Sequence, residues 1–145
     1  MVKKVVVFHL GRCGSTVLAE MLARHSQITW HGEIFEPPQQ EARKKFGWQF
    51  HFTGGDPVAV AREHLKRSKT EWSGIEVKPF HLTPYGISVA QFIDGIKQAG
   101  VDRFVVLDRR NRLRKIVSSQ IAHRTNVWHI YNGAKVNKSR LTLTI

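Results

Sequence analysis

A single cysteine, Cys13, is all the thiol this 145-residue chain contains, which excludes an internal disulfide and any cysteine-based zinc cluster. Acidic residues are also scarce, 11 against 23 lysines and arginines, for a formal charge of +12. Such a surface attracts polyanions, whether nucleotides, nucleic acid or sulfated and phosphorylated substrates, and charge alone does not choose among them. Long apolar runs are missing too. Val5-Val6-Val7-Phe8 is far too short to cross a bilayer and lacks the pattern of a signal peptide, so no membrane partner is expected and the cytoplasm is the default location. The eight histidines show no ligand spacing such as HExxH, so no metal is expected. Neither an internal repeat nor a low-complexity segment is present.

What is present fits one folded domain spanning 1–145, since 41% hydrophobic and 23% charged residues are near the globular average. Positions 3–10 form a β-branched run without alternation, the pattern of a strand covered on both faces. A glycine-bearing loop follows, Gly11-Arg12-Cys13-Gly14. From Ser15 the period changes, and Leu18, Met21, Leu22 and His25 fall on one stripe of an amphipathic helix. A short second strand is expected at 28–30, a third at 74–78 and a fourth at 103–108. Helices are expected from Pro57, capped by Asp56, to about 68, then over 88–99 with Val89, Phe92, Ile93 and Ile96 buried, and over 111–122 with Leu113, Ile116, Val117 and Ile121 buried. The stretch 39–55 reads only as a short helix followed by an aromatic loop, its rings more in keeping with core or lid than with a sugar platform. Alternation of strands and helices implies βαβ units and a mostly parallel sheet. The closing Leu141-Thr142-Leu143-Thr144-Ile145 reads as an edge strand or as a domain cut short at its C-terminus.

An apolar strand entering a glycine loop and then a helix makes an anion site, because the first helical amides lack partners and the dipole favours negative charge. Gly11 and Gly14 let the backbone approach a ligand, while Arg12, Ser15 and Thr16 add donors. The bland alternative is an ordinary glycine turn before a helix. The pattern GxxxxGK[ST] is not met: Ser15 stands in place of its lysine and His9 in place of its first glycine, which disfavours ATP hydrolysis. A cysteine-phosphatase loop would need an arginine where Ala19 stands, and Cys13 reads as a small filler.

Arg12-Cys13-Gly14-Ser15-Thr16 resembles the 5′-phosphosulfate loop of sulfotransferases, with Cys13 where a serine is common. Arg110, at the end of the fourth strand, and Ser118, eight residues later on the next helix, resemble the same family's 3′-phosphate motif. Independently of family, a guanidinium offers phosphate a bidentate fork and a hydroxyl adds a neutral donor. Arg112, Arg114 and Lys115 read as solvated helix-face charges. The resemblance covers about 3–36 and 103–124. The wording around Arg109–Leu113 and His31-Gly32-Glu33 is closest to bacterial and carbohydrate-type members, and 74–78 resembles a strand that often carries a lysine near the acceptor.

The resemblance implies a three-layer α/β/α fold with a mostly parallel sheet, P-loop NTPase-like. It implies 3′-phosphoadenosine 5′-phosphosulfate as donor, held by Arg12, Cys13, Gly14, Ser15, Thr16, Arg110 and Ser118, and a hydroxyl or amine acceptor on a carbohydrate or small metabolite. Arg12 and Ser15 would stabilise the leaving phosphate oxygen. Glu33 leads His31, Glu36 and His81 as the acceptor of the hydroxyl proton. The family's C-terminal basic loop is poorly matched by Gly133-Ala134-Lys135. Rival readings are a basic nucleic-acid-binding module, a small ATP-using kinase, and a nucleotide binder without transfer.

Overall fold

The computed structural model describes residues 1–35 and 55–125. These fall into two compact units, one from Met1 to Asp108 and one beginning at Arg109. Glu36, most of 39–55, Gly133-Ala134-Lys135 and the 141–145 segment lie outside the described residues.

The first unit is α/β. Strands β1 (Lys3–His9), β2 (Ile28–Glu33), β3 (Trp72–Val77) and β4 (Arg103–Leu107) alternate with helices α1 (Ser15–Ala23), α2 (Pro57–Lys66) and α3 (Val89–Gln98), and a 3-10 helix spans Pro79–Tyr85. The four strands form one all-parallel sheet in the order β2-β3-β1-β4. The expected helix starts are met chemically. Asp56 accepts the Val58 amide with Pro57 in the first turn, and Ser88 exchanges hydrogen bonds with Gln91 in a capping box. No helix among the described residues is long and apolar enough to cross a membrane.

Register decides the two faces of the sheet. Val6 pairs with Ile75 and Phe8 with Val77, and these side chains meet Ala61 and Leu65 of α2 and Phe92 and Ile96 of α3 in the main core. Residues one step out of phase point the other way: Val5 opposite Gly74, Val7 opposite Glu76, and then His9. Gly74 has no side chain because the Trp30 ring lies where its Cβ would stand.

Several expectations are corrected. β2 runs three residues beyond Trp30, because Gly32 takes a φ of 67° and the ladder to β3 shifts register between Trp30 and Glu33. Of the first helix's apolar stripe, Met21 is exposed and His25 lies past the helix end. β4 has a strand neighbour on one side only among the described residues, and Val105 and Val106 are exposed.

The second unit contains α4 (Arg112–Thr125). Asn111 caps it, its Oδ1 accepting from the Arg114 amide at 2.9 Å. Leu113 and Ile116, expected to be buried, are 67% and 56% exposed. Periodicity identifies residues that share a face and says nothing of what covers that face.

Candidate functional site

Four parallel strands bring their C-terminal ends to one edge: His9, Glu33, Val77 and Leu107. That edge is where open α/β sheets bind ligands.

The 11–14 loop leaves β1 there. Gly11, Arg12 and Gly14 have φ of 78°, 53° and 94°. Positive φ at three of the four loop residues turns the chain tightly onto the helix N-terminus, a backbone concavity of the kind that suits an anion. Glycine reaches this region freely. Arg12 is the one described non-glycine residue with positive φ, a conformation that costs an L-residue roughly 1–2 kcal/mol and tends to persist at ligand clamps. Gly14 caps α1 without a side-chain hydrogen bond, so no side chain of the cap answers the first helical amides. Ser15 is buried as the first helical residue, and Cys13 and Thr16 are half-buried beside it. The loop residues singled out by sequence therefore sit together at one helix N-terminus.

Glu33 reaches the same edge from β2. One carboxylate oxygen, Oε2, pairs with Lys78 Nζ, just beyond β3, and the other, Oε1, stands 3.6 Å from His9 Nε2. Both partners of the ion pair are largely buried, with side chains 18% and 15% exposed. Glu76 completes the cluster: its Oε2 is 3.0 Å from His9 Nε2, and its Oε1 accepts the Trp30 indole N–H at 2.9 Å. Neither approach completes a hydrogen bond: 3.6 Å is too long, and at 3.0 Å Nε2 still has no hydrogen-bond partner. At 3.2 Å, His9 Nδ1 accepts the Gly11 amide, which ties the cluster to the loop.

His9 Nε2, Glu33 and Glu76 bring three ligand atoms within 4.8 Å of one another, a nitrogen-and-carboxylate set of the kind that suits zinc. Two features oppose a metal here. The Lys78 ammonium already sits on Glu33, and a ring whose Nδ1 accepts an N–H carries its proton on Nε2, the atom a metal would need.

His31 shares the sheet face of Ser73, whose hydroxyl it meets at 3.2 Å, and its ring packs edge-on to His64; the register shift at Gly32 puts it on the face opposite Glu33's cluster. Burial first, then the charges of His64 and Arg67, lower its pKa. His81 is buried in the 3-10 helix. Arg110 and Ser118 belong to the second unit, Arg110 exposed ahead of α4 and Ser118 half-buried within it.

Sequence reading missed Glu76 and the role of His9. The available signal was a lone acid in the apolar strand 74–77 and a histidine at the end of an otherwise apolar one. In comparisons with known proteins, no family model, no curated protein and no solved structure matches this chain.

Proposed function

We propose that the chain binds 3′-phosphoadenosine 5′-phosphosulfate and transfers its sulfuryl group to a hydroxyl acceptor, on a three-layer α/β/α fold of P-loop type. The observation that carries this reading is the 11–14 loop: three left-handed residues opening onto a helix N-terminus, with Arg12 at its centre and Glu33 at the same sheet edge. A phosphate-like anion is what such amides accept. In sulfuryl transfer the SO₃ group passes in line from the phosphosulfate oxygen to the acceptor oxygen. The chain's tasks are then to orient the donor, to stabilise the leaving phosphate oxygen and to take the acceptor's proton. The loop amides, Arg12 and Ser15 suit the second task. The Glu33 carboxylate, oriented by Lys78 at the same sheet edge, suits the third. Arg110 and Ser118 enter through the sequence resemblance, as donors to the 3′-phosphate.

The test is calorimetric titration of adenosine 3′,5′-bisphosphate beside AMP and ATP. The bisphosphate should bind at least about tenfold more tightly than AMP, or about 1.4 kcal/mol, and Arg110→Ala should erase that margin without lowering the melting temperature. Equal affinities for the bisphosphate and AMP in the wild type refute the proposal.

A further inference from the structure

The geometry points to His9 as a positioning residue for the loop: its ring, fixed as the Nε2–H tautomer against Glu76 and Glu33, accepts the Gly11 amide and so holds the left-handed turn that opens the anion nest. A neutral imidazole has one donor and one acceptor nitrogen. Here the two nitrogens face groups of opposite kind. Nδ1 meets a backbone N–H at 3.2 Å, which requires a lone pair. Nε2 meets carboxylate oxygens at 3.0 and 3.6 Å, which call for a proton. Exchanging the tautomer would set N–H against N–H at Gly11 and a lone pair against two carboxylates. Water cannot mediate the conflict, because the His9 side chain is 0% exposed and that of Glu76 5%.

Glu76 is fixed in turn. Its Oε1 accepts the Trp30 Nε1–H, its Oε2 lies 3.0 Å from His9 Nε2 without completing a hydrogen bond, and the Trp30 ring is seated over Gly74. The latch therefore starts in the packing of β2 on β3, crosses to β1 and ends at the first residue of the loop. It also accounts for a buried histidine and acid on a sheet face whose other buried members are apolar. His9 acts through the Gly11 backbone and touches no ligand. That the loop binds phosphate rests on the function proposed above; the latch itself does not.

The test combines two-bond ¹H–¹⁵N spectra of the histidine rings, backbone amide spectra and titration with adenosine 3′,5′-bisphosphate. Wild-type His9 should be neutral with its proton on Nε2. His9→Phe keeps the ring volume and removes the acceptor, so the Gly11 and Gly14 amide signals should move and affinity should fall about tenfold, the worth of one hydrogen bond. His9→Asn, whose Oδ1 can accept from the amide two residues on, should recover most of that loss. In Glu76→Gln one of the two donors faces an NH₂ group, so the tautomer preference of His9 should weaken and the Gly11 amide should shift. A proton on Nδ1 of wild-type His9, or loop amides unmoved in His9→Phe, overturns the inference. Should His9→Phe fail to fold, the ring and amide spectra of Glu76→Gln decide. Should the wild type fail to bind the bisphosphate, the proposed function falls, and the tautomer and amide shifts alone judge the latch.

Discussion

On the proposed reading Glu33 is shared between two tasks. Lys78 pairs with its Oε2 and orients the carboxylate, while Oε1 stands 3.6 Å from His9 Nε2. On that reading the base that takes the acceptor's proton is this carboxylate. Glu33→Gln keeps the shape and removes the basicity, so donor affinity should persist while transfer falls by ~10²–10⁴, measured as single-turnover sulfation of a carbohydrate acceptor. Transfer at the wild-type rate would remove Glu33 from the mechanism. His31, on the opposite face, bears on stability instead. Its lowered pKa means the unfolded chain binds more protons than the folded one in the window below the ordinary histidine value of about 6.5. Stability contributed by neutral His31 is thus complete above that value and is lost as pH falls toward the folded-state pKa. Urea unfolding from pH 7.5 to 5 should show this slope, and His31→Gln should flatten it. An unchanged slope in the variant would assign the acid sensitivity to another group.

At the scale of elements, the strands and caps were legible because their signals are local. Continuous β-branched runs mark β1 and β4, Asp56-Pro57 starts α2, and Ser88 with Gln91 closes a capping box at α3. The last three residues of β2 were not legible, because a bulge at Gly32 lets strand pairing continue past a residue that reads as a turn. The site was legible in the same uneven way. The loop from Gly11 to Thr16 is contiguous in sequence and could be read directly. Glu76 and His9 lie 67 positions apart in number and acquire meaning only when register places them on one face. Gly74 shows how closely that face is built. A methyl group there would fall inside the Trp30 ring, and moving the ring withdraws its N–H from Glu76. Gly74→Ala should cost about 1–3 kcal/mol and lower the melting temperature by several degrees. An unchanged melting temperature would show that Trp30 moves freely and that the latch has no foundation in β2.

The charge of the whole molecule sharpens the choice between a nucleotide and a nucleic acid. With 23 basic residues against 11 acidic ones, and Arg112 and Arg114 exposed on α4, the surface attracts any polyanion, so binding as such separates nothing. Salt dependence does, because it counts the phosphates that are neutralised. A duplex contacting six to ten phosphates loses ~10³–10⁵ in affinity between 50 and 200 mM salt. Adenosine 3′,5′-bisphosphate presents only two phosphate groups, and on the proposed reading part of its affinity would come from amides at a helix N-terminus, which release no counterions. Adenosine 3′,5′-bisphosphate should therefore lose only about tenfold over the same range, read by calorimetry at four salt concentrations. Duplex or single-stranded oligonucleotides should bind more weakly than the bisphosphate at 150 mM salt and should lose affinity far more steeply. If the oligonucleotide instead outcompetes the bisphosphate at 150 mM salt, the basic surface is the functional one and the nest at Gly11 to Gly14 serves a backbone phosphate of a nucleic acid.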